Sequence, residues 1–327
     1  MTGRRRLGAL LGAALLAAQA VAAGYADHPA ARAFAKRLAA CCGFSEEEVR
    51  ATLARARPSP AVLEAMARPA ERTLNWAEYR RIFLGERRID EGAAFWRRHR
   101  RVLAEVSARY GVDPAVVVAI LGVETFYGRN TGRHRVLDAL ATLAFDYPPR
   151  SPFFRRELEA FLLLAREEGL DPTEPRGSYA GAMGLAQFMP SSYRVYAVDQ
   201  DGDGHRDLWR NPADAAASVA AYLAGHGWRA GEPVAVRVAA PVREPALPFN
   251  RLERPRLTLE QLAASGMPLP EGLAAEMAAM PLRLEGEEGV EYWLGFANFY
   301  AITRYNHSHL YAMAVHQLSE EIRRRVG

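Results

Sequence analysis

Apolar residues recur at helical spacing through most of this 327-residue chain. Between residues 30 and 110 the pattern predicts helices throughout. Ser45, followed by Glu46, Glu47 and Glu48, reads as an N-cap with an acidic first turn before Val49 and Leu53. Pro58-Ser59-Pro60 breaks the chain, and Val62, Leu63 and Met66 then return at helical spacing. Residues 75–110 carry two further amphipathic stretches, marked by Trp76, Tyr79, Phe83, Phe95 and Trp96. Asp113-Pro114 opens the next helix, an N-cap followed by proline at the first helical position. Gly128 reads as that helix's C-cap. Two more helices flank Tyr147-Pro148-Pro149 over residues 136–168, whereas residues 177–190 are glycine-rich and lack a period. Pro212 to Gly225 reads as a short alanine-rich helix. Residues 232–290 are rich in Pro and Glu, and within them 234–238 and 282–284 alternate like short strands. Residues 291–325 are expected to return to helix. No internal repeat is evident, and the class is mainly α with a small β addition.

One residue breaks the hydrophobic pattern where the pattern is strongest. Val116 to Val123 is almost continuously apolar, and Glu124 follows it in what reads as the helix's last turn. A charged carboxylate amid that much hydrocarbon is costly. Burial therefore pushes Glu124 towards the protonated form. A carboxylic acid beside a cleft is what protonating a glycosidic oxygen requires.

Half of the residues are apolar and 24% are charged, which is ordinary globular composition. The formal charge of +4 falls to +1 when Arg4, Arg5 and Arg6 are set aside, so a nucleic-acid partner loses its electrostatic basis. Those arginines head a segment that reads as a secretory signal over residues 1–23. They form the positive region, Leu7 to Leu16 the short apolar region, and Val21-Ala22-Ala23 a small-residue cleavage pattern before Gly24. The mature protein is expected to be exported, periplasmic and soluble; an uncleaved membrane anchor is the alternative. Cys41 and Cys42 are adjacent on a predicted helix. They are read as small helix residues that do not bridge with each other, because disulfide geometry asks for more widely separated Cα atoms.

Asp199-Gln200-Asp201-Gly202-Asp203-Gly204-His205-Arg206-Asp207 matches the opening of a calcium-binding loop. Asp199, Asp201 and Asp203 stand at positions one, three and five, Gly204 at the sharp turn, and His205 would offer its carbonyl at seven. Asp207, at nine, is expected to act directly or through water. Position twelve is Arg210, where a bidentate Glu is usual, so Asp214 in the next helix is the candidate to close the site. An Asp/Gly turn that binds nothing is the alternative. A single such loop suggests a structural clip more than a calcium sensor.

Four segments together resemble one family. Gly122-Val123-Glu124-Thr125-Phe126-Tyr127-Gly128 is similar to the catalytic-acid motif of the B-type lytic murein transglycosylases. Residues 177–193, the acidic loop, and Phe299 to Asn306 followed by Tyr311 to Val315 resemble the family's other signatures, in the same order. The resemblance spans roughly residues 30–325. It implies a lysozyme-like helical core with extra N-terminal helices and a small β-containing segment at 232–290, all within one catalytic domain over residues 24–327. It also implies cleavage of the β-1,4 bond between N-acetylmuramic acid and N-acetylglucosamine without water, leaving a 1,6-anhydromuramoyl end. By the resemblance Glu124 is first acid and then base. Ser178, Gln187 and Asn306 match positions that hold the acid and the sugar, and Tyr222, Tyr305 and Tyr311 match aromatic glycan-binding positions. Arg150 and Phe153 fall near expected glycan contacts, with Phe153 in place of a tyrosine. Calcium in the acidic loop, peptidoglycan strands as partner, contact with cell-wall synthesis enzymes and a monomeric state complete the expectations. Unlike the family's lipoprotein namesake, the chain lacks a lipobox cysteine.

Two other readings stay open at this point. A lysozyme-type hydrolase would need a second carboxylate, for which Asp138 and Asp146 are nearest in sequence. For each tyrosine taken singly, core packing with a satisfied hydroxyl competes with glycan binding. A non-catalytic peptidoglycan-binding protein is the remaining class, against which the intact Glu124 and Gln187 motifs argue.

Overall fold

The computed structural model describes residues 24–67 and 74–327. The signal-like segment at 1–23 lies outside them. Seven helices come first: α1 (Pro29–Cys41), α2 (Glu46–Ala54), α3 (Pro60–Ala67), α4 (Trp76–Phe83), α5 (Glu86–Arg98), α6 (Arg100–Tyr110) and α7 (Pro114–Thr125). A two-residue strand β1 (His134–Arg135) leads into α8 (Val136–Phe145) and α9 (Ser151–Glu167). β2 (Arg176–Gly177), α10 (Pro190–Tyr196) and α11 (Pro212–Gly225) follow. The chain ends with β3 (Ala235–Val238), β4 (Leu257–Thr258), α12 (Leu259–Ala264), β5 (Ala278–Gly286), β6 (Gly289–Gly295), α13 (Ala297–Tyr305) and α14 (His309–Val326).

Local chemistry accounts for the starts of these helices. Ser45 and Glu48 close a reciprocal capping box on α2, and Asn75 and Glu78 do the same on α4. Asp113 accepts the Ala115 amide ahead of Pro114. Every residue of α7 from Ala115 to Gly122 is buried, and α5, α11 and α14 pack around it. A helix apolar on all sides belongs in a core. A four-stranded antiparallel sheet, in the order β3-β6-β5-β4, covers a second, smaller apolar cluster that includes Leu259, Leu262, Tyr292 and Phe296. The mainly α class with a small β addition holds.

Four local expectations are corrected. Residues 75–110 form three helices rather than two, because Leu84-Gly85 and His99 leave helical geometry. Residues 291–295 are strand, not helix: Gly286 pairs with Gly289 across Glu287-Glu288, and this two-residue turn lays the β-prone Tyr292-Trp293 against β5. The end of α7 comes before Gly128, with Phe126 in the left-handed region as its cap. Finally, Cys41 and Cys42 are bonded to each other with Cα atoms 3.7 Å apart. Cys42 is the residue that leaves α1, at φ −131° and ψ 17°, and this turn brings the neighbouring sulfurs together.

Candidate active site

Glu124 stands one residue before α7 ends, half-buried. Beyond it the chain reverses through three successive left-handed residues, Phe126 (φ 54°), Tyr127 (φ 59°) and Gly128 (φ 90°). Bulky residues are strained there. Packing holds the turn: the Tyr127 hydroxyl donates to the Arg88 carbonyl at 2.8 Å, and the Asn130 amide returns to the Thr125 carbonyl at 2.9 Å. Gly122 makes room for the Tyr127 ring, since a Cβ there would lie 2.6 Å from the Tyr127 oxygen.

The buried Tyr311 side chain rises from the first turn of α14, and its hydroxyl donates to Glu124 Oε1 at 2.6 Å. Tyr305 lies nearly parallel to it, ring centroids 6.4 Å apart, and donates to the Ala186 carbonyl at 2.6 Å. Burial, reinforced by the negative charge of Glu124, holds both phenols well above their usual range. Both hydroxyls therefore remain protonated donors.

The glycine-rich stretch packs against the end of α7. Thr125 Oγ1 donates to the Leu185 carbonyl at 2.9 Å and so ties this stretch to the end of α7. Gln187 takes a left-handed φ of 49°; its Nε2 donates to the Thr131 carbonyl at 3.1 Å and the Gly184 carbonyl at 2.9 Å. Ser178 follows β2, and its Oγ accepts the amides of Ala180 at 3.2 Å and Ala182 at 3.0 Å. That shapes the turn and leaves the hydroxyl proton to donate elsewhere. Asn306 is the extended residue after α13, half-buried beside Tyr305, and its carbonyl accepts the Ser308 amide at 2.7 Å.

The other sequence candidates fall in different places. Tyr222 is buried in an aromatic cluster with Tyr196, His226, Phe188 and Tyr305, and its hydroxyl donates to the Arg304 carbonyl at 2.6 Å. Burial pushes this phenol up to about 12. These contacts are those of core packing. Arg150 lies over the Phe153 ring at 4.7 Å, at the start of α9. Asp138 accepts the Arg57 amide and pairs with Arg135, while Asp146 accepts the Tyr25 hydroxyl. The carboxylates a hydrolase would borrow are thus engaged by the N-terminal segment and its neighbours. Thr125 and Tyr127, which shape the turn around the acid, were not singled out from sequence; Gly122 is the signal that would have pointed to them.

In the acidic loop, oxygens of Asp199, Asp201 and Asp203 lie within 4.8 Å of one another. Asp199 accepts the Gly202 and Gly204 amides, and the Gly204 bond chiefly holds its carboxyl below the usual range. The remaining two loop acids, like Asp199, accept backbone amides. Asp207 accepts the Trp209 and Arg210 amides at 2.9 and 3.0 Å. Asp214, shielded completely from solvent, accepts the Gln200 and Asp207 amides at 2.8 and 2.9 Å, and burial pushes its carboxyl up. It closes the loop through backbone amides rather than by joining the three converging carboxylates. The loop is also tied to the site: the Leu185 amide donates to the Leu208 carbonyl at 2.8 Å.

The profile of the Transglycosylase SLT domain matches residues 26–320. The chain is 43% identical over 307 residues to the membrane-bound lytic murein transglycosylase B of Escherichia coli K12, covering 91% of this chain and 84% of that protein. The chain belongs to the lytic murein transglycosylase family. This transglycosylase also matches the crystal structure of soluble lytic transglycosylase SltB1 from Pseudomonas aeruginosa, with 48% identity and a TM-score of 0.86 over 91% of this chain and 99% of that one. The Escherichia coli lytic transglycosylase Slt35, solved in complex with calcium, matches with 42% identity and a TM-score of 0.85 over 94% of this chain and 96% of that one.

Proposed function

We propose that this transglycosylase cleaves the β-1,4 bond between N-acetylmuramic acid and N-acetylglucosamine in peptidoglycan, with Glu124 as its sole acid and base. Protonated Glu124 gives its proton to the glycosidic oxygen as the bond to C1 breaks. The C6 hydroxyl of the same muramoyl sugar then bonds to C1, and the Glu124 carboxylate takes that hydroxyl's proton. No water enters, and a 1,6-anhydro end is left. The observation that carries this reading is the hydrogen bond from Tyr311 to Glu124 at the end of an apolar helix. A tyrosine hydroxyl can donate to the carboxylate form and accept from the acid form, so it holds the group in place through both halves of the cycle. Ser178, Gln187 and Asn306 are assigned to the sugar's hydroxyls and amides.

Mass spectrometry of digested sacculi tests this. Anhydromuramoyl products are expected from the wild type, and none from Glu124→Gln. Reducing muramic ends without anhydro sugars would instead establish the hydrolase.

We further infer that the acidic loop holds calcium through Asp199, Asp201 and Asp203, with the His205 carbonyl. Converging carboxylate oxygens are the donor set a hard divalent cation takes. The ion would serve as a structural clip. Residues 1–23 are proposed to direct export to the periplasm, followed by cleavage before Gly24. Among the described residues, no single helix is long and apolar enough to cross a membrane.

A further inference from the structure

A cleft of about 920 Å³ opens at the start of α7, away from the helix end that bears Glu124. At 1.5 Å per residue the two ends of α7 stand about 15 Å apart. The cleft lies between the helical core and the four-stranded sheet, a kind of junction where ligand sites recur. Its walls include Trp228, Trp293, Gln317 and β3.

Three observations give it a chemistry. His316 lines it, 8% exposed, with Nδ1 buried and lacking a hydrogen-bond partner in the structure. Burial lowers this imidazole to about 4, so at neutral pH it is an uncharged hydrogen-bonding group. The charges along the walls are unevenly engaged. Asp113 and Glu320 pair with Arg323, Glu321 with Arg324, and Glu232 with Arg229, while Glu291 accepts the Trp293 indole N–H. Arg80 and Arg237 line the same cleft with no ion-pair partner among the described residues. These two guanidiniums, rather than the cleft's charge as a whole, are what a carboxylate would find unengaged. Finally, β3 is an edge strand that pairs only with β6 among the described residues, and residues 234–237 face the cleft. An unpaired edge is a template for one more strand.

We propose that this cleft binds the extended C-terminal tail of a protein partner, added as a strand on β3 with its terminal carboxylate at Arg80 and Arg237. Strand addition combined with carboxylate capture is an established mode of peptide recognition. Four strand residues span about 13 Å, which limits the tail to roughly four or five residues.

An array of random all-L pentapeptides with free C termini, probed with the labelled full-length enzyme, tests this. The same array is also made with C-terminal amides and with D-residues. Discrete peptides are expected to bind on the free-carboxylate L array and at least tenfold more weakly on the other two. Arg237→Gln, an exposed position, is expected to lose tenfold or more in peptide binding while digesting sacculi at the wild-type rate. Glu124→Gln should bind the peptides as the wild type does. No bound peptide, equal binding of acid and amide, equal binding of D-peptides, or unchanged binding by Arg237→Gln would each overturn the proposal.

Discussion

At the scale of single residues, the contact to test is the one between Tyr311 and Glu124. A hydrogen bond to a charged group contributes roughly 1.5–3 kcal/mol, which corresponds to about a 10–100-fold change in rate if it is made in the transition state. Tyr311→Phe keeps the ring and its burial, so sacculus digestion should slow by about that factor while the melting temperature moves by only about 2 °C. A wild-type rate in this variant would remove Tyr311 from the positioning of the acid. His316 gives a pH signature of a different kind. Its folded-state value is lowered to about 4 by burial, against 6.5 for an ordinary histidine. Glu320 and Arg323 on its own helix act on it and the Trp293 ring of β6 meets it edge-on, while Asp113, Glu291, Arg80 and Arg237 line the same cleft. An unfolded chain protonates this histidine below about pH 6.5, while the folded chain keeps it neutral. Stability is therefore fully present above pH 6.5 and is lost as pH falls towards 4, by about 3 kcal/mol in total. His316→Phe cannot titrate, so its melting temperature should fall about 5 °C less than the wild type's between pH 7 and pH 4. Parallel curves would refute the assignment.

At the scale of elements, the turn after α7 depends on one missing side chain. A Cβ on Gly122 would meet the Tyr127 hydroxyl and ring carbons at 2.6–2.8 Å, and Tyr127 is fixed to the Arg88 carbonyl. Gly122→Ala should therefore cost about 1–3 kcal/mol by overpacking and shift the Phe126–Gly128 turn that follows Glu124. Calorimetry should show a lower melting temperature, with digestion reduced further than stability alone explains. Retained stability together with full activity would mean that the turn adapts freely. The same turn shows where reading the sequence stops. The N-caps at Asp113 and Ser45 and the helix at Pro212–Gly225 are legible because their determinants lie within a few residues. So is Glu124, because an acid in an apolar run stands out locally. The left-handed Phe126, Tyr127 and Gln187 are not legible, because distant packing and carbonyls impose them. Nor is β6: Tyr292-Trp293 becomes strand through pairing with β5, a nonlocal partner that outweighs its reading as helix.

At the scale of the whole molecule, the acidic loop and the acid are linked by a short relay. Leu208 at the loop's end holds the Leu185 amide, Thr125 holds the Leu185 carbonyl, and Tyr305 holds that of Ala186. An ion that stiffens the loop should therefore stabilise the stretch bonded to the end of α7 as well as the fold. Binding to the folded state alone stabilises by about 2.7 kcal/mol at a hundredfold excess over the dissociation constant, or about 5 °C in a chain of this size. Calcium should raise the melting temperature by that much, and chelation should slow sacculus digestion. The acids divide into two groups, and this makes the test specific. Asp199 converges with Asp201 and Asp203, whereas Asp214 is buried on the Gln200 and Asp207 amides. Asp199→Asn should abolish the calcium shift while leaving the calcium-free melting temperature nearly unchanged, because water can replace the lost acceptor at the exposed Gly202 and Gly204 amides. Asp214→Asn has only one acceptor oxygen for two amides, so one buried N–H goes unpaired. Its melting temperature should fall by about 2–6 °C with or without calcium. If both variants lost the calcium shift and neither was otherwise destabilised, Asp214 would be a ligand after all, and the loop would close around the ion rather than around its own backbone.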